Sequence, residues 1–268
     1  MNALPYEFLT TVCRLLRKED DEDLRNLRAI SSSWSNVSEE TQKPLIAIEF
    51  FCVPESDQLT FQIKYHPPNF KEISECSNVD VREIMIFDAR RSPSFGSVRS
   101  IHLDSSNVNI LRKVVAKSAF PARVWFYEIN FKVPQVLMKL LSFCRMRELL
   151  MPRNNPNLNF NPNTVSREIE FGRLEKMIID GCVANEDLMS MIEKFVKSDN
   201  FQSLGLVTEE STPLEFGVVV KRILDLVREL RDKKKIKVAV AEKWRSGYEE
   251  LIYDQMHFHL QKIQLLAL

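Results

Sequence analysis

The chain has 268 residues, 44% of them hydrophobic, and its 37 basic side chains balance 37 acidic ones. That length and apolar content suit a packed core in one or two domains and exclude a low-complexity or collagen-like chain, as do only six glycines and twelve prolines. A net charge of zero disfavours DNA or RNA as the main partner, because neutralising phosphates calls for a basic excess.

The opening residues, MNALPYEF, carry no basic segment, and Pro5 and Glu7 interrupt any apolar run, so no signal peptide is read there. No apolar stretch approaches the roughly 18–20 residues that span a bilayer. The five cysteines (13, 52, 76, 144 and 182) are scattered and form no CxxC pair. Neither a disulfide scaffold nor a zinc site is expected from them. The expectation is a soluble protein of the cytoplasm or nucleus, with no membrane partner.

From Leu4 the chain follows a helical pattern. Leu4, Phe8, Val12 and Leu16 recur at i, i+4 spacing, with Leu9 and Leu15 beside them, and Pro5 sits in the first turn, where its missing N–H costs nothing. The acidic run Glu19 to Asp23 ends that pattern. Asp23 is placed to cap a second helix carrying Leu24, Leu27 and Ile30, and a third begins at Trp34 and Val37 and fades near Pro44. Three short helices bury too little surface to be stable alone.

The order Leu4-Pro5-x-Glu7-Phe8-Leu9-x-x-Val12, then Leu16, then Asp23-Leu24, then Leu27, Ile30 and Trp34, resembles the F-box. The match covers residues 4 to about 40. It departs from the family by about three extra acidic residues between Leu16 and Asp23, which is read as an elongated turn. The resemblance implies hydrophobic docking on the Skp-type adaptor of a cullin–RING ubiquitin ligase core, with Leu4, Pro5, Phe8, Leu9, Val12, Leu16, Leu24 and Trp34 as candidate contacts. The bare residues leave open that these helices simply pack on the rest of the chain.

After Pro44 the texture changes. Residues 45–53 and 59–65 are rich in β-branched and aromatic side chains and read as strands joined by a polar turn. From residue 81 a ΦxxΦxΦ pattern recurs: Val81, Ile84, Ile86; Val98, Ile101, Leu103; Met146, Leu149, Met151; Leu174, Met177, Ile179; Phe201, Leu204, Leu206. Looser copies sit at Val124, Phe126 and at Val238, Val240. Asn154 and Cys182 fall three residues after Met151 and Ile179, where leucine-rich repeats place Asn or Cys, and the last three copies start about 27–28 residues apart. Helical periodicity fills the gaps over 107–118, 134–144, 185–197 and 213–231, while the Asn-rich run 154–163 reads as a loop. Strand alternating with helix implies parallel strands with crossover helices.

The expected fold is therefore α/β: an F-box-like three-helix module over residues 1–43, then a degenerate leucine-rich-repeat-like βα array over 44–268 that binds a partner. A doubly wound α/β domain is the competing fold. The segment 248–268 could close the array as strand or helix.

Catalytic signatures are absent: no GxSxG, HExxH, GxGxxG or P-loop occurs. His257 and His259 share a strand face at metal-ligand spacing without further ligands, and His102 beside Asp104 is a conceivable base pair without a nucleophile. Lys233-Lys234-Lys235 reads as a solvated turn. No cofactor, metal or enzymatic activity is expected. In each ΦxxΦxΦ copy the residue between the last two Φ must point away from the helices. Met85, His102, Trp125, Leu150, Ile178 and Gly205 form that row, and the first five are the candidate contacts for a captured protein substrate. The sequence thus suggests a substrate-recognition adaptor of an SCF-type ligase. The alternatives are a repeat-type scaffold without a ubiquitin role and a small α/β enzyme.

Overall fold

The computed structural model describes Leu9, Val12, Cys13, Trp34, Val37 and residues 45–54, 56, 58–64, 79–91, 101–118, 121–127, 129, 131–151, 162–209, 212–230 and 237–242. Contacts divide the chain into two units, Met1–Leu45 and Ile46–Leu268. In the first, Leu9, Val12, Cys13, Trp34 and Val37 have helical backbone. Leu9, Cys13 and Val37 are buried together, and Trp34 packs against them. Of the expected adaptor contacts, Leu4, Pro5, Phe8, Leu16 and Leu24 lie outside the described residues, as do the acidic turn and the three-helix arrangement as a whole.

The second unit is a mixed α/β domain. Its elements run β1 (Leu45–Cys52), β2 (Leu59–Lys64), β3 (Asp80–Asp88), β4 (Ile101–His102), α1 (Ser105–Lys117), β5 (Ala122–Tyr127), α2 (Gln135–Leu141), β6 (Met146–Met151), α3 (Pro162–Glu170), β7 (Lys176–Cys182), α4 (Glu186–Lys197), β8 (Ser203–Thr208), α5 (Phe216–Leu230) and β9 (Lys237–Glu242). The strands form one nine-stranded sheet in the order β4-β2-β1-β3-β5-β6-β7-β8-β9. From β3 to β9 each pairing is parallel. The antiparallel hairpin β1–β2 extends the sheet past β3, and the two-residue β4 pairs antiparallel with β2.

Strand order from β5 to β9 follows chain order, with no point at which it reverses. One core accordingly takes in all five helices and only one side of the sheet. Ile84, Ile86, Val124, Phe126, Leu149, Met177, Ile179, Leu204 and Leu206 from the strands pack with Leu111 and Val115 of α1, Leu137 and Leu141 of α2, Val165 and Ile169 of α3, Ile192 and Phe195 of α4, and Val219 and Ile223 of α5. The i, i+4 spacing of each helical pair places both side chains on one stripe. Phe195 and Phe201 meet edge to face, with ring centroids 5.0 Å apart. Among the described residues the strand order lacks the reversal of a doubly wound sheet, and the helices share one core.

Local chemistry fixes the element ends. Asp104 caps α1, its Oδ1 accepting from the Asn107 N–H at 2.8 Å, and Asn185 caps α4, its Oδ1 accepting from the Leu188 N–H at 2.8 Å. Glu186 and Asp187 open α4 while Lys194 and Lys197 close it, each sign matching the helix dipole. Gly181 sits at φ 67° inside a bulge of β7, where the register shifts between Ile179 and Cys182, a conformation that disfavours any Cβ.

Two expectations are corrected. The copy at Val98–Leu103 is not a repeat strand of the parallel array. Its strand, β4, lies at the opposite edge of the sheet, paired antiparallel with β2. The Asn-rich run is not loop to its end, since α3 starts at Pro162, a residue suited to a first helical position, and Val165 and Ile169 supply its buried stripe. Asn154, the lysine run 233–235, His257, His259 and the segment 248–268 lie outside the described residues. No helix among the described residues is long and apolar enough to cross a membrane.

The sheet face away from the described helices as a candidate interaction surface

Alternation along each strand sends every second side chain away from the helices. The register then assembles these side chains into rows across the sheet. Met85 pairs with Trp125, Trp125 with Leu150, Leu150 with Ile178, and Ile178 with Gly205. Four of the five residues expected to form a substrate row are thus neighbours across four parallel strands. The fifth, His102, is not among them: it is exposed on β4 at the sheet's far edge. The row is also less open than a bare solvent face. Met85, Trp125 and Ile178 are half-buried, and Leu150 is only 7% exposed.

Two residues toward the strand starts lies a row of charge. Arg123 stands between Glu83 and Glu148, with Nη1 3.5 Å from Glu83 Oε1 and Nε 3.3 Å from Glu148 Oε2. Lys176 Nζ completes the series 3.2 Å from Glu148 Oε1. The signs alternate strand by strand, each cross-strand pair favouring its own register, and a one-residue slip would turn the whole set toward the helices. On the hairpin, buried Glu49 accepts from Gln62 Nε2 and pairs with Lys64 Nζ at 2.5 Å.

Toward the strand ends, aromatic rings replace charge. Phe51, Phe87 and Tyr127 stack across β1, β3 and β5 with centroid separations of 5.7 and 4.7 Å, and Trp125 leans on Tyr127 at 5.8 Å. Burial, then the nearby charges of Glu83 and Glu49, push the Tyr127 phenol well above its usual range, so it stays a neutral hydrogen-bonding group. The face away from the described helices is therefore graded: ion-paired at one side, apolar in the middle, aromatic at the other.

Burial pushes the thiols of Cys52, Cys144 and Cys182 up to about 12, far from a reactive thiolate. Cys182 Sγ instead donates to the Val207 carbonyl at 3.3 Å, tying β7 to β8 at the position where the repeat pattern places Asn or Cys. His102 and Asp104 do not share a strand face, because β4 ends at His102 and Asp104 caps α1. No cluster of three or more His, Cys, Asp or Glu suited to a metal occurs among the described residues. The charge row was readable in the sequence, since Glu83, Arg123, Glu148 and Lys176 each stand two residues before a member of the central row. The aromatic stack was not readable, because Phe51 comes from the hairpin, outside the repeat pattern.

No protein-family model matches the chain, and no curated protein matches it significantly.

Proposed function

We propose that this chain is a non-enzymatic substrate receptor of an SCF-type ubiquitin ligase. The N-terminal segment docks on a Skp-type adaptor, and the helix-backed sheet captures a protein. The observation that carries the reading is the Leu4-Pro5-led apolar order through Trp34, which resembles the F-box and belongs to a contact unit distinct from the α/β domain. The parallel array behind it is similar in layout to a leucine-rich-repeat domain, with helices on one side and strands in chain order. Such a protein does no chemistry. It raises the local concentration of its captured partner near a ubiquitin-loaded enzyme held by the cullin core. The substrate row is Met85, Trp125, Leu150 and Ile178.

Co-purification tests the first half. A Skp-type adaptor should be retained by the full chain and lost when Leu4 and Pro5 are made polar or Phe8 is changed to Asp, since truncated interface anchors typically cost about 2 kcal/mol or more. Failure of the unaltered chain to retain the adaptor, or retention by variants whose circular dichroism is native, would sink the ligase reading. It would leave a repeat-type binding scaffold.

A further inference from the structure

In a parallel βα array each helix runs against its strands, so helix ends and strand starts share one edge of the domain. There α2 is followed by Phe143 and α3 by Phe171, the largest exposed apolar side chains among the described residues, at 45% and 62% exposure. They occupy equivalent points of neighbouring repeats, each the same distance ahead of the paired residues Leu149 and Met177. Both rings carry a guanidinium. Arg112 lies 5.3 Å from the Phe143 centroid and Arg173 lies 4.5 Å from that of Phe171.

Arg167 joins the two. It donates to the carbonyls of Ser142 and Cys144, on either side of Phe143, at 2.7 and 3.3 Å, and it shares the buried carboxylate of Glu168 with Arg173. Arg145 is exposed in the turn before β6. Of the acids here, Glu168 is buried between its two arginines and Glu175 accepts from Gln202 Nε2 at 3.1 Å, while Glu170 is exposed. A basic side chain in the last turn of a helix is ordinarily explained by the helix dipole, which accounts for Lys139 and Arg167. It accounts neither for Arg112, Arg145 and Arg173 nor for two solvated phenylalanines held under arginines.

We propose that this edge docks an acidic segment of a partner protein, whose carboxylates meet Arg112, Arg145 and Arg173 while apolar side chains between them cover Phe143 and Phe171. Nucleic acid suits it less well, because the whole chain carries no basic excess to neutralise phosphates. The proposal is independent of the ligase reading and of the sheet face away from the described helices.

Fluorescence anisotropy on the full chain tests it, using a labelled peptide repeating Glu-Glu-Leu, its Glu-Glu-Gly counterpart and a labelled oligothymidylate, at low and at physiological salt. The expected result is saturable binding of the Glu-Glu-Leu peptide, weakened by salt and weaker again for Glu-Glu-Gly. Affinity should fall about tenfold in the pair Arg112→Glu/Arg145→Glu and by a similar factor in Phe143→Ser/Phe171→Ser. All four side chains are exposed, so circular dichroism should stay native, and Arg145→Glu alone gives a milder second variant. Absence of saturable binding, equal affinity in all variants, or tighter binding of oligothymidylate than of the peptide would each overturn the proposal.

Discussion

Glu168 should be the costliest single carboxylate in the domain to remove. Its side chain is fully buried, and three groups converge on it: the Met146 N–H donates to Oε2 at 3.1 Å, Arg167 Nε lies 2.9 Å from Oε1, and Arg173 Nη1 lies 3.5 Å from Oε2. It thereby pins the end of α3 to the start of β6, one repeat earlier. Glu168→Ala leaves a buried backbone donor without an acceptor, at about 1–3 kcal/mol. It also strips two arginines of their counter-charge, and breaking a buried pair costs about 3–5 kcal/mol in all. The arginine side chains are 38% and 30% exposed and can recruit water, which discounts the loss to about 3 kcal/mol. Glu168→Gln keeps an acceptor for Met146 and removes only the charge, so roughly half that loss is expected. Urea unfolding followed by far-UV circular dichroism reads both values, the midpoint shifting with little change in slope. If both variants lie within about 0.5 kcal/mol of the parent chain, the carboxylate does not hold the repeats together and the reasoning fails.

Within the central row, Leu150→Ala should cost about 2–3 kcal/mol because the side chain is buried. Half-buried Ile178→Ser should cost about 1 kcal/mol and chiefly release the captured protein, and a larger thermal loss for Ile178→Ser than for Leu150→Ala would count against a binding role. Above neutral pH the buried thiols set a limit: with Cys52, Cys144 and Cys182 raised from 9.0 to about 12, their contribution is whole below pH 9 and is lost as pH rises toward 12, at up to about 1.4 kcal/mol per unit for each. The triple Cys→Ala variant, referred to its own stability at pH 8, should lose less between pH 9 and 10 than the parent, and parallel curves would contradict the assignment. Gly181→Ala should destabilise by about 1–2 kcal/mol, because φ at 67° disfavours a Cβ; a neutral result in thermal melts would mean that the bulge relaxes without cost.

The regular part of the array was legible because a buried face repeats. Leu149, Met177 and Leu204 stand in adjacent register, and their spacing in the chain is the period visible in the sequence. The helices were legible wherever a long stripe was present, as in α4 and α5. The short α3, with two apolar residues in a polar stretch, was hidden behind an Asn-rich run. His102 was assigned to the central row because its surroundings repeat the strand pattern, yet pattern carries no information on which neighbour a strand selects. In the fold that neighbour is β2, at the edge of the sheet, and not a strand of the parallel array. Phe143 and Phe171 were not singled out: the periodicity read over 134–144 runs past the end of α2 at Leu141, and Phe171 falls in the turn after α3.

The two residues of β4 matter for what they prevent. Thr60 and Phe61 pair with His102 and Ile101, and the Leu103 N–H adds one more bond to the Leu59 carbonyl at 2.8 Å before Asp104 turns the chain into α1. Among the described residues the outermost strand is therefore only two residues long, whereas β2 laid bare would offer six residues of ladder with alternating apolar side chains. A substitution that freed this short strand would expose such an edge at the expense of the core contacts of Ile101 and Leu103, and its symptom would be self-association.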